Sequence, residues 1–252
     1  MRNDYILKLL ENDERLDGRA LADFRSIKIE PDYIKKAEGS AKVTLGKTEV
    51  IAGVKLELDV PYPDMPDQGT LKTGAEFSPM ADPEFSAGPP REDAIELARV
   101  VDRGIRESEC IDLEKLIITP GEKCWVVFVD IHIINNDGNL IDASSLAAIA
   151  ALLNAKLPKL ENDKIVRTEF KGKLPVKAKP ITVSIGKTLG KLLMDATKEE
   201  EELLELKLSI ATVEDGKICA MQKMGKGTLT ENDIDDIINI AHKKSKELRK
   251  LL

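Results

Sequence analysis

Cysteine, histidine and tryptophan are scarce in this chain of 252 residues, and the scarcity removes several classes of protein at once. The three cysteines, Cys110, Cys124 and Cys219, are odd in number, far apart and outside any CxxC pattern. That fits reduced thiols and excludes the common zinc frameworks, so no metal site is expected. No apolar run approaches the roughly 20 residues of a membrane span, so no membrane contact is expected. The opening MRNDYILKLLENDERLDGR is acidic and has no signal-peptide apolar stretch, which predicts a cytoplasmic chain. An overall basic surface is also missing: the net charge is -7, so any grip on phosphates must come from a local patch. With 42% hydrophobic residues the chain is not disordered, and its length allows one large domain or two small ones with a proper core.

What the chain does contain is an echo: VTLGKT at 43–48 and VSIGKT at 183–188. GKT is the tail of a phosphate-binding loop, which needs a glycine five positions before its second glycine so that backbone amides can wrap the anion. Those positions hold Ala41 and Ile181. A helix must also follow, yet EVIAGV at 49–54 is β-branched and strand-like. Neither segment is a nucleotide site. Each is predicted to be a strand, a tight turn at Gly-Lys and a second strand.

Two such hairpins, 140 residues apart, predict an internal duplication. Between and after them the pattern predicts helices over about 92–108 and 140–155, a long strand over 124–134, and strands near 203–213 and 217–224. A closing helix is predicted from Glu231, with Thr230 as N-cap, acids in its first turn and Lys and Arg in its last turns. The expectation is an α+β fold of two related lobes, each a mixed sheet backed by helices. The first lobe with an N-terminal extension takes residues 1–160 and the second 161–252, joined through the Lys- and Pro-containing stretch 158–180. Residues 59–90 carry seven of the twelve prolines around a strand-like 70–77, which reads as a functional surface loop or an assembly surface.

Arginine is the other local anomaly. The chain holds 28 Lys against 10 Arg, yet four arginines fall between Arg91 and Arg106, and no lysine lies between Lys72 and Lys115. On the predicted helix Arg99, Arg103 and Arg106 stand at i, i+4 and i+7 and share a face, with Ile95, Ala98, Val101 and Ile105 along the other side. One account is a solvated face with pairs such as Glu96 to Arg99 and Asp102 to Arg106, each contributing roughly 0.3 to 0.5 kcal/mol. Against it stands the choice of arginine, whose planar fork grips phosphate oxygens, and the position of Arg91 near a positive helix N-terminus. The cluster therefore reads as a phosphate or RNA-backbone contact.

Other candidates are weaker. Asp130 and His132 share a sheet face with no third ligand evident, and His242 reads as surface. Trp125, at a strand start, reads as core or interface. Asp195, with Glu201 six residues on, reads either as a solvated acidic turn or as a carboxylate pair for magnesium or acid–base work. No Ser/His/Asp or Cys/His arrangement is visible.

LDGRALADFRSIKIE (16–30), GSAKVTLGKTEVIAGVK (39–55), GPPREDAIELARVVDRGIRES (88–108) and NNDGNLIDASSLAA (135–148) resemble the RNase PH family over nearly the whole chain. More narrowly they resemble the non-catalytic RNase PH-like subunit of the archaeal exosome ring. The resemblance implies duplicated lobes and a hexameric ring of three heterodimers with a catalytic RNase PH-like subunit. It also implies RNA-binding cap subunits and single-stranded RNA shortened from its 3′ end with inorganic phosphate as the nucleophile. Active members need a Gly-Ser/Thr-Arg segment after the long strand to hold phosphate. Here that place is Asp137-Gly138-Asn139, without an arginine and with an added carboxylate. Active members also place two aspartates six residues apart, where this chain has Asp195 and Glu201. The expectation is a subunit with no catalytic residues and no cofactor of its own, which binds RNA and structures its partner's active site. Arg99 and Arg103 match arginines presented to RNA, Arg91 lies in the matching stretch, and Arg106 follows from helix geometry alone. The alternatives are a phosphorolytic 3′-5′ exoribonuclease active by itself and a small RNA-binding module free of any complex.

Overall fold

The computed structural model describes residues 2–252. Its first sheet is formed by β1 (Ile27–Pro31), β2 (Gly39–Leu45), β3 (Thr48–Asp59), β4 (Thr70–Phe77) and β6 (Lys123–Asn135), in the order β1-β2-β3-β6-β4, with the short β5 (Ile117–Thr119) beside β6. All pairs are antiparallel except β4 with β6, so this sheet is mixed as expected. Strict alternation in β3 buries Val50, Ala52, Val54 and Leu56 on one face, as a period of two requires.

The second sheet comprises β9 (Ile181–Thr188), β10 (Lys191–Met194), β11 (Leu206–Thr212) and β12 (Ile218–Gly225), in the order β10-β9-β11-β12. It is antiparallel throughout, not mixed. Its first hairpin also corrects an expectation. Gly186 and Lys187 lie within β9, and the turn falls at Leu189-Gly190, both with positive φ. Only the first GKT is a turn, with Gly46 at φ 60. Gly186 is small for a different reason, since a Cβ there would meet Leu204 Cδ1 at 2.5 Å. The GKT echo therefore does not mark equivalent positions in the two sheets. They are also joined differently: the second strand of the first hairpin pairs onward with β6, whereas the first strand of the second pairs onward with β11.

Between the sheets lies α3 (Leu140–Asn154), packed on β2 and β3 at one side and on β9 at the other. Its residues 141–152 are all buried, and its sequence is apolar on every side, as a helix enclosed by two layers must be. The α2 helix (Glu92–Arg106) packs on β4 and touches β12, and α5 (Glu231–Arg249) covers β9 and β11. Thr230 closes a capping box with Asp233, which satisfies two orphan amides at the start of α5. An N-terminal helix α1 (Arg2–Glu11), for which the sequence carries only a short apolar spacing, buries Ile6 and Leu10 near Leu193 and Ala196.

The stretch 158–180 is more than a connector. It contains most of a hairpin, β7 (Lys156–Glu161) and β8 (Lys164–Lys173), turning at Asn162 and Asp163 with φ of 48° and 63°. The lobe boundary expected at 160/161 falls inside β7. Trp125 is core, Asp130 and His132 share the exposed face of β6, and His242 is half-buried with an unpartnered Nε2 rather than a surface group.

Candidate nucleic-acid interface and a closed anion cradle

Asp137-Gly138-Asn139, where the resemblance locates the phosphate cradle, sits between the end of β6 and the start of α3. An exposed helix N-terminus there would attract an anion. Instead the chain delivers its own carboxylate. Asp195, in the left-handed region at φ 45, is buried and accepts five hydrogen bonds. Its Oδ2 accepts from Arg25 N at 2.7 Å, Arg25 Nε at 2.9 Å and Arg19 Nη1 at 3.0 Å. Its Oδ1 accepts from Arg25 Nη2 at 2.7 Å and Asn139 Nδ2 at 2.9 Å. Burial pushes this carboxyl's pKa up, but the Arg25 fork outweighs it and holds the group below the ordinary aspartate value.

The surrounding groups close the cradle. Arg25 also donates to the Asp137 carbonyl at 2.6 Å and to that residue's carboxylate at 3.2 Å. Arg15, buried, forks onto Glu200 and donates to the Met194 and Asp195 carbonyls. Each of these arginines thus already has a carboxylate. Gly138 is pressed so close to residues 196–198 that a Cβ would lie 2.6 Å from Lys198 N. The first GKT contributes here: Thr48 Oγ1 donates to the Gly138 carbonyl at 2.7 Å, and a side chain at Gly46 would collide with Arg25. Glu201, the second member of the expected carboxylate pair, is taken by Lys207 Nζ at 2.7 Å.

One member of this network is held differently. Asp142 is fully buried, accepting from Ser184 N at 3.0 Å and Asn139 Nδ2 at 3.2 Å, while its Oδ1 and the Asn139 Oδ1 have no partner. Burial pushes the Asp142 pKa up to about 6, against the bonds from Ser184 and Asn139. Two unpaired acceptors on side chains already bonded to each other lack a donor, and a proton on Asp142 supplies one.

The arginine helix is the opposite case. Arg99 is exposed, and neither it nor Arg91, the exposed N-cap of α2, makes a side-chain hydrogen bond or ion pair among the described residues. The anticipated Glu96 to Arg99 pair is not formed. Arg103 is half-buried and donates to Gln222 Oε1 of β12. Arg106 is engaged most: it forks onto Asp102 at 2.9 and 3.0 Å and donates to the Leu71 carbonyl at 3.0 Å. Since β4 is an edge strand, that last bond covers part of its free edge. Ile95, expected on the apolar side, is 50% exposed. It stands one turn before Arg99, while Ala94, Leu97, Ala98, Val101 and Ile105 form the buried face. The side chains that hold Asp195 (Arg15 through the backbone, Arg19, Arg25 and Asn139) are not visible as a set in the sequence because 170–180 residues separate the arginines from it. The only sequence signal was three arginines in eleven residues of LDGR and its neighbours.

A two-sheet α+β chain with one enclosed helix and a cradle at that helix's start defines a class, and the chain belongs to the 3′ exoribonuclease family, RNase PH. It matches domain 1 of that family over residues 23–158 and domain 2 over 179–244. The chain is similar to the "Exosome complex component Rrp42" of Methanosarcina mazei, 49% identical over 251 residues, covering 100% of this chain and 93% of that one. It is 47% identical to the Rrp42 component of Archaeoglobus fulgidus, covering 99% and 95%. A solved "Archaeoglobus fulgidus exosome with RNA bound to the active site" contains a chain that superposes with a TM-score of 0.92 at 47% identity, covering 99% of this chain and 96% of that one. An "Archaeal exosome core" gives 0.89 at 45%, covering 99% and 95%. Among the described residues no helix is long and apolar enough to cross a membrane.

Proposed function

We propose that this chain is a non-catalytic ring subunit of an archaeal exosome. It assembles with a catalytic RNase PH-like subunit as three heterodimers, binds RNA and structures the partner's site for 3′-5′ phosphorolytic degradation. RNA-binding caps on the ring and a cytoplasmic location belong to the same reading. The observation that carries it is the contrast at the two anion sites: Asp195 occupies the cradle with every arginine around it paired, while Arg91 and Arg99 are displayed without partners. A cradle already holding a carboxylate repels phosphate, so phosphorolysis by this chain alone is disfavoured. Arg91, Arg99 and Arg103 are the RNA contacts in this reading, and Arg106 extends them at the far end of the face. Incubating RNA and phosphate with the chain alone, with a catalytic partner alone and with both tests it. Activity restricted to, or strongly raised in, the mixture is expected, and nucleoside diphosphates released by this chain alone would overturn it.

A further inference from the structure

A concavity lies away from the cradle, between the outer face of the first sheet and the proline-rich segment that leads into α2. It is a groove of about 570 Å³ whose apolar lining includes Ile34, Ile51, Phe77, Phe85, Pro90 and Ile134. Phe77 and Phe85 pack with ring centroids 4.6 Å apart, and Ile34 is 40% exposed at the edge. The rim carries Glu76, Glu84 and Asp93 against Arg91 and His132; His132 Nδ1 is 3.5 Å from Glu76 and Lys198 Nζ is 3.8 Å from Glu84, which leaves Asp93 as the open carboxylate. Asp93 has no side-chain partner among the described residues.

The walls are built to stay in place. Asp82, buried at the base of the segment, accepts from Asn136 Nδ2 and from Lys198 Nζ, each at 2.7 Å, and from Glu84 N at 2.9 Å. Pro79, Pro83, Pro89 and Pro90 stiffen the rest. A stiff apolar surface loses little conformational entropy when covered, which favours association.

We infer that this groove seats a segment of the catalytic ring partner that carries an aliphatic or aromatic anchor with Lys or Arg beside it. The inference rests on the ring reading above. Apolar walls ask for an apolar anchor, and the carboxylate rim asks for cations next to it. RNA fits poorly, because its phosphates would face the open Asp93 carboxylate beside two others and gain nothing from apolar walls. A second copy of this chain fits poorly too, since a symmetric contact would set acid against acid. Arg91 belongs both to the groove and to the start of α2, so a partner seated here is brought directly to the arginine helix. That contact makes a composite RNA path.

The test measures assembly of the full chain with its catalytic partner by calorimetry, using Ile34→Asp and Asp93→Lys, with Tyr5→Ser, exposed elsewhere, as control. Ile34→Asp is expected to weaken assembly by about tenfold, because it sets a carboxylate on the apolar edge that the partner's anchor must cover. Asp93→Lys should weaken it by about three- to tenfold, with a smaller loss of affinity on adding salt than the wild type shows. Phe85→Ala is a larger lesion; should it fail to fold, the two exposed positions decide. Both variants assembling within about twofold of the wild type would sink the groove, as would lost RNA binding with unchanged assembly. If the wild type itself forms no complex with an RNase PH-like partner, the ring reading falls and this inference with it, an outcome distinct from failure of the variants alone.

Discussion

Two helix starts in this molecule meet negative charge in opposite ways. At α3 the anion is internal: Asp195 is locked by Arg19, Arg25 and Asn139, and nothing from solvent is needed to balance the arginines. At α2 the basic groups are external: Arg91 and Arg99 have no partner in the chain, and only Arg103 and Arg106 are tied down. In one fold, arginine therefore serves as mortar where it is buried and paired, and as an open contact where it is not. The residue type alone does not tell these apart; the partner does.

Removing the internal anion is the harshest way to break the contrast. Asp195→Ala leaves the buried Arg25 with only its 3.2 Å contact to the Asp137 carboxylate and Arg19 with only Asp17, a loss of about 3 to 5 kcal/mol by analogy with broken buried pairs. Urea unfolding measures it, and a change under about 1 kcal/mol would mean the cradle is not held by Asp195.

The two buried carboxylates of the cradle should also respond to acid with opposite signs. Asp195 has a lowered pKa in the fold, so its stabilisation is present above the ordinary aspartate value and is lost as pH falls through the folded value. Asp142 is raised from 3.8 to about 6, so the folded state holds its proton more tightly and stability falls as pH rises across that window. Asp142→Asn should therefore gain on the wild type by an amount of order 2 to 3 kcal/mol between pH 3.5 and 7. Unfolding free energies at several pH values check this, and a flat difference between the two proteins would show that Asp142 is not neutralised.

On the open helix, Arg99→Glu with Arg103→Glu should weaken RNA binding by the assembled complex by about ten- to a hundredfold at moderate salt. The slope of log affinity against log salt should fall by about 1.4, two phosphate contacts on a single strand. Unchanged affinity would count against α2 as the RNA face. The smallest effect is expected for Arg106→Ala: about 1 kcal/mol of stability, from the Asp102 pair and the Leu71 bond, with a weaker effect on RNA than Arg99→Ala. A larger RNA effect at Arg106 than at Arg99 would reverse the assignment of free and tethered arginines.

Much of the frame was legible beforehand. The α2 helix, its arginine spacing, the enclosed apolar helix α3 and the capped α5 all follow from periodicity and end signals, which are local. Misreadings fell where glycine or exposure carries two meanings. Gly46 sits in a turn and Gly186 in a strand beneath Leu204, yet both stand before Lys-Thr. The β8 strand is largely exposed on both faces, so its sequence lacks the alternation that marks a half-buried strand and reads as connector. Ile95 broke the helical pattern because an exposed apolar residue beside Arg99 has no core to pack on.

By itself the sequence determined the family, the order of most elements, the missing arginine after β6 and the concentration of arginine on α2, because each is written in residues near one another. Only the tertiary structure decided which arginines are free. That choice depends on Asp195, Glu200 and Gln222 arriving from distant parts of the chain, and a hydrogen-bond partner 170 residues away leaves no trace in local spacing.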